Sequence, residues 1–325
     1  MASLLSPDNP PLTPETPASV QPGGLGVCGR VEMAWGRLRR AWLRRFRPRY
    51  VQRLTQKRQG DCPNCPHDII DPRDLKYWRN VCGFWFRPED DAFRWRERLW
   101  LARHGLAELL GFSLVFALLT GLCAGLAVLT PAPWSLAFYA MGAMILLLWG
   151  FVIRFFRDPE RSIPTDPDAL LSPADGTVTH VGEVDEADFP GGRAFRISIF
   201  LSVFNVHVNR VPCSGRVLNV RYFRGCFLDA RHADCSIRNE QLWIDLEPAR
   251  GGQLLRVKQV SGAIARRIVC WLRPGEEVRA GDRFGMIKFG SRTEVFLPAG
   301  SPLDVCVQVG DKVHGGSSIL LRRKS

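Results

Sequence analysis

Two short stretches of this 325-residue chain hold side chains that can do chemistry. The first is Cys62-Pro-Asn-Cys65, followed by His67 and, further on, Cys82. Zinc takes four nitrogen or sulfur donors in a tetrahedron, so Cys62, Cys65, His67 and Cys82 are candidate ligands. The spacing is not that of a standard finger, and ordinary thiols remain the alternative. A redox C-x-x-C needs a βαβ context that is absent, and haem attachment needs histidine where Pro66 stands. The second stretch is "MIKFGSRTEV", residues 286–295, a β-run broken by Gly290-Ser291 between Lys288 and Arg292. Glycine weakens a strand interior, because it loses more backbone entropy than other residues and packs no side chain. The residues alone favour a β-bulge there. A serine hydroxyl is a weak nucleophile without a base beside it. Only six histidines are available: His67, His104, His180, His207, His232 and His314.

The elements that must position these groups fall into three kinds. Residues 106–130 and 134–153 are long apolar runs in which only Glu108 is charged. About 20 residues at about 1.5 Å each span a bilayer core, so a transmembrane helical hairpin is expected over 105–156. Arginines crowd both outer flanks, which puts both ends in the cytoplasm and the short turn outside. A buried hairpin of a soluble protein is the alternative. Gly121 and Gly125 form a G-x-x-x-G suited to close helix approach. Ahead of the hairpin, residues 31–49 place Trp35, Leu38, Trp42, Leu43 and Phe46 at helical spacing among arginines. That pattern suits a membrane interface, or a basic helix packed on its own protein. Residues 1–30 read as a disordered tail and 31–104 as a basic, partly helical region. The net charge of +12 fits an anionic membrane surface. Nucleic acid is not an expected partner, since the basic residues lie beside the apolar runs and no recognition motif is present.

Beyond residue 157 the chain turns into short alternating runs, "RAFRISIFLSV", "GRVLNVRYF", "QLWIDLEP" and "LLRVKQV", punctuated by Gly-Asp and Pro-Gly pairs. These predict a mostly β catalytic domain, barrel- or sandwich-like, over 157–325. Within it, "FFRDPER" (155–161), "LSPADGTV" (171–178), "FLSVFNVHVNRVP" (200–212) and "IKFGSR" (287–292) occur in order, with "GCFLDA", "NEQ" and "QVSGAIARRIV" between them. Their order and spelling resemble the phosphatidylserine decarboxylase proenzymes of the shorter form. The resemblance covers roughly residues 150–325.

The resemblance implies a pyruvoyl-dependent carboxy-lyase that makes phosphatidylethanolamine and CO2. Family members cleave themselves at a Gly-Ser bond. Carried over, the Ser291 hydroxyl attacks the Gly290 carbonyl, the peptide becomes an ester, and β-elimination splits the chain into β (1–290) and α (291–325). The new terminus loses ammonia and becomes the pyruvoyl group, which takes the substrate amine as a Schiff base and accepts electrons as CO2 leaves. His207 is implied as the base and proton carrier, with Asp175 orienting it. Where the longer family form has a second histidine, this chain has Arg210. Arg210, Arg266 and Arg267 are candidate receivers of the carboxylate or phosphodiester, whose oxygens match the guanidinium fork. Phosphatidylserine in the cytoplasmic membrane is the expected partner, with the catalytic domain facing the cytoplasm and homo-oligomers open. Two alternatives stand beside this: the same chemistry on another serine-headed lipid such as archaetidylserine, and a non-enzymatic lipoyl-like β-domain suggested by "GDKVHGGSSIL".

Overall fold

The computed structural model describes residues 27–62, 67–76, 78–80, 82–232, 234–263, 267–288 and 291–324. The chain divides into two compact units, one running up to Ala92 and resuming at Arg161, the other spanning Phe93–Glu160. The tail expected over 1–30 lies outside the described residues as far as residue 26. Helix α1 (Val27–Phe46) already includes residues 27–30.

In the larger unit, α1 is followed by α2 (Pro48–Lys57), whose first position is a proline that needs no amide partner there. The inward face of α1 is held by charge as well as by buried Leu43. Arg39 donates to both oxygens of Asp71 at 2.9 and 2.8 Å and also bonds Asp74, while Arg40 reaches Asp74 at 2.9 Å. Burial opposes the Asp71 charge, but bonds from Arg73 and Arg39 offset this and hold its carboxyl below the usual range.

The smaller unit is built on α3 (Leu106–Leu129) and α4 (Trp134–Phe155), an antiparallel pair of apolar helices. Both are long and apolar enough to cross a membrane. Trp149 Nε1 donates to Ser113 Oγ at 2.9 Å between them. The close approach expected at Gly121 and Gly125 is not where the helices meet: a methyl group added at either would touch nothing within 4 Å. Gly142 on α4 is nearer, 3.6 Å from the Cys123 side chain by the same measure. The pattern of small residues was present on α3, but its face points away from α4.

The rest of the larger unit is mostly β. Its strands are β1 (Ala169–Leu171), β2 (Gly176–Asp185), β3 (Arg193–Leu201), β4 (Val208–Arg210), β5 (Gly215–Phe223), β6 (Gln241–Pro248), β7 (Leu255–Val260), β8 (Ile268–Cys270), β9 (Glu277–Val278), β10 (Arg283–Ile287), β11 (Ser291–Pro298), β12 (Leu303–Val305), β13 (Lys312–Val313) and β14 (Ile319–Arg323). One short helix, α5 (Cys235–Arg238), lies between β5 and β6. An eight-stranded sheet has the order β13-β2-β3-β11-β7-β6-β5-β9, and two three-stranded sheets have the orders β4-β10-β8 and β1-β14-β12. The pairings are antiparallel. Alternation sends Ile197, Ile199, Leu201, Val257, Leu242, Ile244 and Val295 to one face, where they build the core. The opposite face carries a register-matched row, Ser198–Glu294–Lys258–Trp243–Arg221, and is polar although buried over much of its extent.

The break at Gly290-Ser291 falls between two strands of different sheets, with Gly290 itself outside the described residues. β10 belongs to the β4-β10-β8 sheet, and β11 is a central strand of the eight-stranded sheet. Between Lys288 and Ser291 the backbone passes from one sheet to the other. Alternation on each side reads as a single strand in sequence, because both segments are buried.

Candidate active site

Ser291 opens β11 opposite Leu201 of β3. It is fully buried, and among the described residues its Oγ has no hydrogen-bond partner. A buried hydroxyl without a partner costs about 1–3 kcal/mol, so such an atom calls for an explanation. The segment leading to it is gripped from both sides. The Ile287 amide donates to the His207 carbonyl at 3.3 Å, and the Lys288 amide to the Arg267 carbonyl at 3.1 Å. Gly290 itself lies outside the described residues.

His207 is fully buried just ahead of β4. A tight turn places it: the Ser202 amide and hydroxyl donate to Asn205 Oδ1 at 2.9 and 2.7 Å, and the Asn205 amide returns to the Ser202 carbonyl at 3.0 Å. The Asn205 carbonyl then sits 3.0 Å from His207 Nδ1. A carbonyl can only accept, so Nδ1 carries the proton and Nε2 is the basic nitrogen of the neutral ring.

Asp175 precedes Gly176, where a side chain is impossible: an added Cβ would stand 2.2 Å from the Phe200 carbonyl oxygen. The Asp175 carboxylate accepts from Arg161 at 2.9 and 2.7 Å and from the Gly315 amide at 2.8 Å, with His314 Nδ1 at 3.5 Å. Its hydrogen bonds go to Arg161 and Gly315, and His207 Nδ1 donates to the Asn205 carbonyl.

Of the three candidate arginines, Arg210 is buried and donates to the Gly281 carbonyl at 3.1 Å, while its own amide donates to the Pro173 carbonyl at 2.9 Å. Arg267 is buried and paired with Glu32 of α1 at 2.9 Å. Arg266 lies outside the described residues.

Several residues that join these parts were not singled out from the sequence. Asn209 is fully buried and donates towards the Pro173 carbonyl and Thr293 Oγ1, at 3.3 and 3.4 Å, while Gln259 Nε2 donates to its Oδ1 at 2.7 Å. It ties the Asp-Gly loop, β4, β7 and β11 together. On the far face of β11, Glu294 accepts from Ser236 at 2.6 Å and Ser198 at 3.1 Å, and Arg292 donates to Ser236 at 3.0 Å. Burial and then the positive field of Arg196 hold nearby His180 below the usual histidine range, with Glu294 pulling the other way.

The zinc expectation meets a different arrangement. Cys62 and Cys82 pack with Ile69, Leu75, Trp78, Phe84 and Phe86, and the His67 ring stacks on Trp78 at 3.9 Å. Among the described residues no three metal-ligating side chains are gathered, and Cys65 lies outside them.

These features define a class: a mostly β enzyme precursor whose candidate nucleophile is internal to the chain, at a crossing between sheets. Residues 148–321 match the family model for phosphatidylserine decarboxylase. The chain belongs to the phosphatidylserine decarboxylase family. It is 43% identical over 249 residues to a phosphatidylserine decarboxylase proenzyme of Rhodopirellula baltica, covering 76% of this chain and 98% of the relative. Proenzymes of the same description from Desulfotalea psychrophila and Trichlorobacter lovleyi are 47% identical, over 54% and 58% of this chain and 81% and 84% of theirs.

Proposed function

We propose that this chain decarboxylates phosphatidylserine to phosphatidylethanolamine and CO2, after splitting itself between Gly290 and Ser291. The observation that carries this reading is the Ser291 hydroxyl: buried, without a hydrogen-bond partner among the described residues, and at the start of a strand whose sheet differs from that of β10. An unbonded hydroxyl is not held in its ground state and is free to turn towards the preceding carbonyl. His207 is the proposed base: with Nδ1 donating to the Asn205 carbonyl, Nε2 is the basic nitrogen of the ring. The serine oxygen forms a bond to the Gly290 carbonyl carbon as the peptide C–N bond breaks. Loss of the Ser291 α-proton then expels the Gly290 carboxylate from the β-carbon.

The residues fit a pyruvoyl group at position 291, because the side chain there is small, buried and free of competing bonds. That group supplies a carbonyl that serves as an electron sink for the bond lost with CO2. After the split, β11 still lies between β3 and β7, so the α chain (291–325) stays in the sheet at both edges. Asp175 is proposed as a positioning residue that ties Arg161 and the Gly315 amide to the Asp-Gly loop. Arg210 supports the same loop through Pro173. Arg266 and Arg267 are the proposed receivers of substrate anion, with Glu32 the partner that Arg267 would exchange. The arginine-flanked hairpin supports a cytoplasmic-membrane location with the β unit in the cytoplasm.

The test is a mass measurement on purified full chain together with release of CO2 from phosphatidylserine. The expected result is two chains divided at 290/291, the smaller lacking an amino terminus. Intact chain with full activity would overturn the reading.

A further inference from the structure

Ser291 is reached through β10, so whatever fixes the end of β10 bears on the start of β11. β8 lies beside β10, with Ile268 opposite Ile287. Arg267, just ahead of β8, takes the grip one residue further, because its carbonyl accepts the Lys288 amide at 3.1 Å. The Arg267 guanidinium ends on α1, where Nη2 donates to Glu32 Oε2 at 2.9 Å. The two side chains are only 8 and 16% exposed. The other Glu32 oxygen, Oε1, accepts from Lys76 Nζ at 2.5 Å, at the end of the turn Pro72–Lys76. That turn is itself tied to α1, since its Asp74 accepts from Arg39 and Arg40. Glu32 thus spends one oxygen on the N-terminal region and one on the residue that grips the segment before Ser291. The same region meets the strands at a second place: Arg79 pairs with Glu276, and the Arg273 guanidinium lies 4.6 Å from the Trp85 ring centre. Residues 273–276 are bonded to β5 and not to β10. The Gly275 amide donates to the Val217 carbonyl at 2.7 Å, and the Val217 amide to the Glu276 carbonyl at 2.9 Å.

We propose that Glu32 is a positioning residue for the self-cleavage at 290/291: it fixes Arg267, and Arg267 fixes Lys288 and with it the approach of the chain to Ser291. This rests on the cleavage reading above, and it brings into processing a part of the chain that lies ahead of the matched stretch 148–321. Attack of a hydroxyl on a neighbouring carbonyl depends on orientation, and a displacement of about 1 Å caused far from the chemistry can cost about 10²-fold in rate. A guanidinium met by a carboxylate where water is scarce makes a strong, directional bond, because both partners are charged. Removing the carboxylate's charge leaves the mostly buried Arg267 short of its anion. The residue then shifts towards water or another acceptor and takes its carbonyl, and the Lys288 bond, with it. The contact of Arg79 with Glu276 lacks this consequence, since residues 273–276 lead to β5. The role belongs to the uncut chain, so it comes before the anion exchange proposed for Arg267 and does not compete with it.

The full chain is synthesised cell-free in the presence of vesicles of phosphatidylethanolamine and phosphatidylglycerol. Synthesis is stopped, and splitting is followed on denaturing gels for the unsubstituted chain, Glu32→Gln, Glu32→Asp and Arg79→Ala. Melting curves of the same substitutions in a Ser291→Ala background, which cannot split, report on the fold. Glu32→Gln should split about 10- to 100-fold more slowly. Glu32→Asp keeps the charge on a shorter arm and should recover part of the rate. Arg79→Ala removes a contact between the same two parts of the chain and should lower the melting temperature, yet split at close to the normal rate. Normal splitting by Glu32→Gln overturns the proposal. So does equal slowing by Glu32→Gln and Arg79→Ala, which would mean that general docking of the N-terminal region is what matters. Were Glu32→Gln too unstable to purify, slowing of Glu32→Asp beyond that of Arg79→Ala would carry the same point, and its absence would refute it. An unsubstituted chain that never splits would sink the cleavage reading itself, an outcome distinct from a splitting chain that is indifferent to Glu32.

Discussion

Gln259 on β7 donates to Asn209 on β4 at 2.7 Å, and both side chains are fully buried. The bond joins two sheets beside Thr293 of β11, which pairs with Gln259 and whose Oγ1 Asn209 also reaches. It also leaves no room: an added Cβ on Gly285 of β10 would stand 2.7 Å from Gln259 Nε2. Asn209→Ala would strand the Gln259 amide without its acceptor, at a cost of about 1–3 kcal/mol. Replacing both partners by apolar groups should cost less than removing one. Urea unfolding of Asn209→Leu, Gln259→Leu and Asn209→Leu/Gln259→Leu, with Asn209→Ala beside them, in a Ser291→Ala background, which keeps the chain whole, would read this. Additive losses in the double variant would show that the two amides do not depend on each other.

Much of the frame was legible beforehand, and the reason is periodicity. "GRVLNVRYF" and "QLWIDLEP" coincide with β5 and β6, because strong alternation in a half-buried antiparallel sheet leaves little choice. The two apolar helices were legible from length and composition alone. The passage between sheets at Ser291 was not, since alternation reports burial and not which sheet a strand joins. Nor were the partners of Asp175: Arg161, Asp175 and Gly315 are far apart in sequence, and only the closed fold brings them together. The pairing of Arg39 with Asp71 was hidden for the same reason, so the sequence left open whether α1 meets a membrane interface or packs on its own protein.

The buried thiols should be chemically quiet. Burial pushes the Cys213 thiol up to about 11 and the Cys270 thiol up to about 12. The thiolate is the nucleophile, so almost none is present at pH 8. Cys226 and Cys306 are exposed. Brief alkylation of native protein at pH 8, followed by peptide mass mapping, should label Cys226 and Cys306 and spare Cys213 and Cys270. Early labelling of Cys270 would mean that the β4-β10-β8 sheet opens far more readily than its packing implies.

Docking of α1 should weaken in acid. The folded-state pKa of Asp71 is depressed, while the unfolded chain titrates near the ordinary carboxylate value of about 4. The unfolded state therefore binds its proton first as pH falls. The stabilisation is fully present above about pH 4 and is lost as pH drops through the lowered folded value. Asp71→Asn should mimic the loss at neutral pH, because Arg39 keeps its charge without its main acceptor; breaking such a buried pair costs about 3–5 kcal/mol. Limited trypsin cleavage within 30–49 should speed up in the variant at pH 8. Unchanged cleavage would show that Leu43 and its neighbours hold α1 without the ion pair.

The last prediction separates two roles for Asp175. If it acted by orienting His207, removing either residue would disable the same step, and the second loss would add little. The bonds seen assign them apart: His207 Nδ1 to the Asn205 carbonyl, Asp175 to Arg161 and Gly315. His207→Ala removes the base and should slow cleavage at 290/291 by about 10²–10⁴. Asp175→Asn keeps an acceptor for the Gly315 amide but weakens the pair with Arg161. It should slow cleavage less, and both variants should melt lower, Asp175→Asn through the weakened ion pair and His207→Ala through the space left by a fully buried ring. If the two act independently their effects combine additively, and the logarithm of the double-variant rate should fall by the sum of the single effects. Time courses of chain splitting on denaturing gels, with melting curves of the same four proteins, give both readouts. A double variant no slower than His207→Ala alone would put Asp175 back in a relay with His207.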